Sequence, residues 1–517
     1  MDQLLRLTAG DLVHLAPELT LVITAVILSL VDLFMPRSAS RTILGWLALS
    51  GLAVSAAFVI GDLRILNPFD AASQLYRSAE PVQLLGGSWR IDDFANLFKL
   101  LFLGGTALVI LMSLGRVHEE RVPHTGEFYY LFLPATVGAM VMASSADLIT
   151  LYVGLELLSI TSYILAGMRK KESASTEGAF KYAVTGSISS AVILYGMSFL
   201  YGMSGSTNIA VINAALAQNY EVFEPLIYIS FLLLLAGFGF KVAAAPFHMW
   251  APDAYQGSAT PVTAYLAVVS KAASLAITFR VIYNVFGGEP IIDRNIAGDA
   301  FTAIMVVAAA AMILGNAIAL KQRNMKRLLA YSGVANAGYL LVPIGTHFGM
   351  VHYSNFSELL FYLIAYLFMN IGVLAAFVMV SESSKTEEIS GFAGLYYRAP
   401  ATAIAMIILL LSLAGLPVTG GFFGKLYILL GTLQLKHYWL AAIMIITSVV
   451  SYYYYFGIIR QMFMRTGYED TQIKSAAVLQ ITVWVSVAVT LLLGFFPQAV
   501  LGYIEQVFSV PLDLFVQ

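Results

Sequence analysis

The chain has no cysteine, which excludes thiolate-held iron-sulfur clusters, disulfides and thiol catalysis within it. Charge is nearly as scarce. Asp, Glu, Lys and Arg make up 11% of 517 residues and sum to a net charge of -2, so no basic surface is available for nucleic acid. Seven histidines are present, but most lie near segment ends. None pairs with another inside an apolar run, as a membrane b-type haem would require, so no cofactor is expected in this chain. The first apolar run, 18-35, follows a head bearing only Arg6 and lacks a small-residue cleavage motif, so it reads as a retained helix rather than a signal peptide. Nothing resembles a hydrolytic triad. Gly237-Phe-Gly239 lies within an apolar span, not in the strand-turn-helix setting of a nucleotide-binding loop.

Apolar sequence is abundant: 59% of residues are hydrophobic and the mean hydropathy is +0.81. This is the composition of an all-α polytopic membrane protein. Windows of membrane-spanning length recur near 16-35, 42-61, 93-115, 127-145, 147-167, 178-203, 225-250, 260-284, 300-320, 326-344, 356-380, 401-434, 438-463 and 477-500, giving fourteen transmembrane helices. The odd connections carry sixteen Lys and Arg, among them Arg169, Lys170, Lys171, Lys326 and Arg327, and the even ones carry five. The positive-inside rule then places the odd connections in the cytoplasm and both termini on the outer face of the membrane.

Two spans are long and interrupted by glycine and proline. One runs from Leu234 through Gly237-Phe-Gly-Phe-Lys241 to Pro246; the other runs from Leu411 through Pro417 to Gly420 and Lys425. Broken, lysine-bearing helices in matched positions indicate an internal repeat with its site at the breaks. The breaks are expected at Ala236 to Gly239 and at Ala414 to Pro417. The chain accordingly divides into an N-terminal three-helix segment (1-126), two five-helix units (127-290 and 291-465) and a C-terminal helix (466-517). An odd number of helices separates corresponding members, so the two units are inverted relative to one another.

Glu156, Lys241, Lys271 and Lys425 are charges inside these apolar stretches. A central charge costs roughly 2.5 to 3.5 kcal/mol to insert, so four unpaired ones would rival the stability of a domain. Such residues normally line an ion or proton path. Glu156 lies midway along 147-167 and is too short to reach the interface; the plain alternative is a protonated glutamate bonded to a neighbour. Lys271 is central in 260-284, with snorkelling as its alternative. Lys241 and Lys425 are off-centre, and only the helix breaks bring them inward. Burial penalises an ammonium and a nearby carboxylate restores it, so a buried lysine is a switchable proton carrier. Lys181 is a few residues into its helix beside a basic loop, where snorkelling competes with a functional role. His248, near Asp253, is placed to relay protons between water and Lys241 or else to cap a helix end. The run Tyr452 to Tyr455 reads as packing rather than as a proton wire.

Several of these stretches together carry a family resemblance. Gly237-Phe-Gly-Phe-Lys-Val-Ala-Ala-Ala-Pro-Phe-His-Met-Trp250, Ala251-Pro-Asp-Ala-Tyr-Gln-Gly257 and Ser270-Lys271 resemble the antiporter-like subunit N family of bacterial respiratory complex I, the counterpart of subunit 2 in mitochondria, chloroplasts and cyanobacteria. Further matching stretches are Phe180-Lys-Tyr182 with Ser189-Ser190, Lys326-Arg-Leu-Leu-Ala-Tyr-Ser332 with Gly338-Tyr339, Ser412-Leu-Ala-Gly-Leu-Pro417 and Gly421-Phe-Phe-Gly-Lys425, so the resemblance extends over about residues 125 to 465. It implies fourteen helices with two inverted repeats, Glu156 and Lys241 as a charge pair, Lys271 as the connecting lysine and Lys425 as the exit-side lysine. Where the family often has a histidine before its Gly-Tyr pair, this chain has Asn336, which cannot titrate. The implied role is a non-redox, proton-translocating subunit of a NADH-quinone oxidoreductase. Quinone, FMN and iron-sulfur clusters would sit in partner subunits, and sister antiporter-like subunits would be neighbours. The alternative is a subunit of a multi-subunit Mrp-type cation/proton antiporter.

Overall fold

The computed structural model of the chain describes residues 9-36, 38-63, 81-115, 122-346, 354-465, 476-510 and 513. Arg37, Arg64, Arg77, Arg116, Arg121 and Lys474, counted above for orientation, lie outside them. Lipid offers backbone amides no hydrogen-bond partner, so spanning segments must satisfy their own; here they do so as helices. Among the described residues thirteen helices are long and apolar enough to cross a membrane.

In chain order the main elements are α1 (Ala16–Phe34), α2 (Thr42–Asp62), the hairpin β1 (Val82–Leu84) and β2 (Trp89–Ile91), α3 (Asp93–Ser113), α4 (Thr125–Ser144), α5 (Leu148–Ala166), α6 (Ser173–Ser204) and α7 (Tyr220–Val242). They continue with α8 (Ala251–Gly257), α9 (Thr260–Phe286), α10 (Asn295–Ala319), α11 (Met325–Gly345), α12 (Asn355–Ser384), α13 (Pro400–Ala414), α14 (Gly420–Gln434), α15 (Tyr438–Met464), α16 (Ala477–Phe495) and α17 (Pro497–Val507). Local chemistry sets the boundaries. Between α4 and α5 the chain extends at Ser145, and Asp147 caps α5 by accepting from the amides of Ile149 and Thr150. Thr419 likewise caps α14, accepting from Phe422.

The burial pattern identifies the axis of the bundle. α9 is buried along its whole length, and α11 and α12 nearly so, whereas α1 exposes most of its apolar side chains in the manner of a lipid-facing helix. The helix through α9 includes a π-helical turn at Leu266–Ser270, immediately before Lys271. Such turns recur at functional sites because they open the regular ladder of backbone bonds.

The first helix break is not where the glycines stand. α7 remains helical through Gly237 and Gly239 and ends at Val242, where Ala243 adopts a left-handed φ of 59° and the amides of Ala243 and Ala244 fold back onto Phe240 and Gly239. The interruption spans 243-250, after Lys241 rather than before it. Gly237 and Gly239 serve close packing instead: a Cβ at Gly237 would collide with Ile193, and one at Gly239 with Phe247. Trp250 closes the break, donating from Nε1 to the carbonyl of Phe240 at 3.0 Å and stacking on Tyr182. The second break falls at 415-419, in line with the sequence: α13 ends at Ala414, Gly415 is left-handed with φ 90°, and α14 starts at Gly420.

Candidate functional site

Lys241 is in the last turn of α7, and its Nζ donates to three hydroxyls: Ser159 Oγ at 2.8 Å, Ser190 Oγ at 3.0 Å and Tyr163 OH at 3.4 Å. Ser159 and Tyr163 follow Glu156 on α5 by three and seven residues, so all three occupy one helix face. The charge of Glu156 acts on Lys241, but no ion pair forms between them. The Oε1 atom of Glu156 is buried and lacks a hydrogen-bond partner among the described residues. Ser159, one helical turn from Glu156 on α5, is the residue of that face that Lys241 meets most closely.

Lys271, 2% exposed, donates to the carbonyl of Gly333 on α11 at 2.5 Å and lies 5.6 Å from the centre of the Tyr366 ring. It does not snorkel. Lys425 is on α14, on the far side of the second break. It donates to the carbonyls of Leu413 and Ala414, the last residues of α13, at 2.9 and 3.2 Å, and faces the Tyr339 ring at 4.9 Å. A cation at a helix C-terminus is favoured by the helix dipole. A cavity of about 220 Å3 opens beside it, bounded in part by Phe422, Met444, Ser448 and Tyr452.

His248 occupies the first break, buried, with its ring 6.0 Å from that of Tyr331 on α11. Tyr331 is two residues from Gly333, the acceptor for Lys271, so His248 sits on the side of the break that faces the second half of the chain. Its expected neighbour Asp253 is engaged elsewhere, by Lys181 at 2.7 Å and Arg327 at 2.5 Å. Lys181 is exposed and also pairs with Glu177 at 2.6 Å, the geometry of a surface ion pair.

Between Lys271 and Lys425 lies a chain of neutral polar groups that includes Asn336, noted above in place of a histidine, and Tyr455 of the tyrosine run. Tyr455 OH pairs with Ser332 Oγ at 2.5 Å, Asn336 Nδ2 donates to the carbonyl of Ser332 at 2.9 Å, and Tyr362 OH donates to Asn336 Oδ1 at 2.5 Å. In the tyrosine run, Tyr452, Tyr454 and Tyr455 all make buried or half-buried hydrogen bonds, and Tyr453 alone points outward.

Other charges within the spans also escaped the sequence reading, and most of them are paired. Lys99 meets Glu18 at 2.8 Å, Arg280 meets Asp92 at 2.8 Å, and the fully buried Lys326 meets Glu387 at 3.0 Å. Pairing separates them from Lys241, Lys271 and Lys425, whose contacts are all neutral. The partners are 81, 188 and 61 positions distant, and no local signal reports such pairs.

A bundle with unpaired lysines held at two helix breaks and along a buried axis is a membrane ion-carrier of the antiporter-like class. Residues 145-451 match the family model described as NADH:quinone oxidoreductase/Mrp antiporter, transmembrane. The chain is 51% identical over its whole length to the whole of a NADH-quinone oxidoreductase subunit N from Paenibacillus sp. (strain JDR-2). It is 42% identical to that of Bacillus anthracis, over 97% of this chain and 96% of the relative. Among solved structures, a chain of respiratory complex I from Thermus thermophilus is 28% identical and superposes with a TM-score of 0.76, over 95% of this chain and 99% of that one. A chain of the Mrp complex from Dietzia sp. shares the fold, with a TM-score of 0.79 at 19% identity, over 96% of this chain and 97% of that one. The chain belongs to the subunit N family of NADH-quinone oxidoreductase.

Proposed function

We propose that this chain is the proton-translocating, non-redox membrane subunit N of a bacterial NADH-quinone oxidoreductase, assembled beside sister antiporter-like subunits. Electrons pass through flavin, iron-sulfur and quinone sites in partner subunits. This chain moves protons through Glu156, Lys241, Lys271 and Lys425, with His248 as a relay across the first break. The observation that carries the reading is that three lysines inside the membrane contact only neutral groups, in a chain that matches subunit N from end to end. An unpaired buried ammonium is costly, and its retention without a counter-ion fits a site that gains and loses a proton. Each proton moved outward against the membrane potential demands about 2.3 kcal/mol per 100 mV.

Residues 127-290 and 291-465 are the two inverted units in this reading. Support comes from the left-handed residue that ends the first helical segment at each break, Ala243 and Gly415. The Mrp alternative shares the fold but not the identity. Purification tests the assignment: the chain should copurify with flavin and iron-sulfur subunits, and recovery with small antiporter subunits instead would overturn it. Orientation is testable because the chain has no cysteine. A thiol introduced by Lys171→Cys should label only from the cytoplasm and one introduced by Lys436→Cys only from outside; the reverse pattern would invert the topology.

A further inference from the structure

Glu358 is a buried acid that none of the roles above uses. It lies in the first turn of α12, 6% exposed, and among the described residues its carboxylate has neither a cation within ion-pair distance nor a hydrogen-bond donor. The space for it is made by a glycine on the helix that carries Lys425: a Cβ at Gly431 would lie 2.7 and 2.9 Å from the two carboxylate oxygens. α14 meets α12 through three glycines in succession, Gly421 against Met369, Gly424 against Tyr362 and Gly431 against Glu358. The same seam therefore runs from the turn of Lys425 to Glu358. Six residues of helix separate Lys425 from Gly431, about 9 Å.

Beyond Glu358 the seam ends at the surface opposite the basic connections. There Glu505, half-buried on α17, accepts from the amide and hydroxyl of Ser354 at 2.6 and 2.8 Å, and Phe508 stacks on Phe356 to hold α17 against the start of α12. Glu505 and Glu358 feel one another's charge, and the other titratable group acting with Glu358 among the described residues is the hydroxyl of Tyr283. Two carboxylates in one site do not both ionise freely, and the helix N-terminus beneath them supports the remaining anion.

We propose that Glu358 accepts the proton released by Lys425 and passes it to Glu505 and the outer water. In this step the Lys425 ammonium becomes a neutral amine as the Glu358 carboxylate becomes the acid, one proton leaving the first and arriving at the second. The acid then returns to carboxylate as Glu505 takes the proton. The proposal rests on Lys425 being a carrier. Its test uses the assembled complex in liposomes, with protons pumped per electron and quinone reduction both measured, together with infrared difference spectra of the protonated-carboxyl band under turnover. Glu358→Gln should assemble, lose most pumping and remove one such band, while Glu358→Asp should restore part of both. Normal pumping in Glu358→Gln with Lys425→Met blocked would overturn the proposal and leave Lys425 in place. Normal pumping in Lys425→Met would overturn the reading of Lys425 and the relay with it. An unchanged carboxyl band in Glu358→Gln would also overturn the proposal, showing Glu358 to be structural.

Discussion

Lys241 and Lys425 stand at the two helix breaks and are held in different ways. Lys241 precedes its break and is ringed by hydroxyls, which can donate as well as accept, so its ammonium and its neutral amine both find partners without rearrangement. Lys425 follows its break and is held by two carbonyls at a helix C-terminus, which only accept. The first site also feels a carboxylate, Glu156; Lys425 has none within ion-pair distance among the described residues. The difference teaches a direction. The ring of hydroxyls suits the first site to loading, and the second, whose two carbonyls leave a neutral amine's lone pair unmet, is suited to holding.

Removing the link between the two sites should have the largest effect. Lys271→Met keeps a long flexible side chain and removes the carrier, so the complex should fold while translocation is lost. Lys271→Arg keeps a charge that does not deprotonate and should block as fully. Proton uptake by reconstituted vesicles is the measurement. Full activity in the arginine variant would show that Lys271 is a fixed charge and that the two ends are not joined through it.

The comparison can be sharpened on the loading side. Glu156→Gln preserves volume and removes the one carboxylate acting on Lys241, so Lys241 should hold its proton less well and pumping should fall severalfold with assembly intact. Vesicle acidification at matched quinone-reduction rates checks this. Undiminished pumping would mean that the hydroxyl ring alone sets the site. The corresponding change on the holding side, Lys425→Met, should let protons load but not leave, lowering pumping and quinone reduction together.

Much of this was legible in the sequence because depth in a membrane can be read from chain position. The isolation of Lys271 and the break at Pro417 follow from counting, and thirteen of the fourteen apolar windows correspond to single long helices among the described residues, while the window 401-434 is divided into α13 and α14. The first break was misplaced because glycine near a lysine looks like a hinge, whereas Gly237 and Gly239 are where α7 packs on Ile193 and Phe247. Glu358, Lys99 and Arg280 are equally charged and equally within spans, yet their roles depend on partners far away in the chain. So does the Ser332-Asn336-Tyr362 network, of which the sequence marks Asn336 but not the partners that bond it.

A smaller effect tests the packing of the central lysine. A methyl group at Gly333 would lie 3.3 Å from Lys271 Nζ and 3.2 Å from Tyr366 OH, so both side-chain ends must give by a few tenths of an ångström. Gly333→Ala should therefore cost about 1 to 3 kcal/mol of stability and slow pumping without abolishing it. Thermal unfolding of the complex together with vesicle acidification would show whether the ammonium tolerates the shift.

The smallest expected effect falls on the hydroxyl ring itself. Ser159→Ala removes the shortest of three hydrogen bonds to Lys241, and a bond to a charged group contributes about 1.5 to 3 kcal/mol. Ser190 and Tyr163 remain, and a neutral amine loses less than an ammonium when a partner disappears, so the loaded state suffers more than the empty one. A bias of about 1.4 kcal/mol is tenfold in that equilibrium, enough to lower the pumping rate at low driving force and little when the proton supply is high. Ser190→Ala should act in the same direction, and the double variant should exceed the sum because the lysine then keeps only the 3.4 Å bond to Tyr163. Pumping measured across a range of outer and inner pH would show the loss confined to low proton supply. A loss independent of proton supply would mean that the hydroxyls hold the helices together rather than the proton, and the contrast between a hydroxyl-held first site and a carbonyl-held second one would fall.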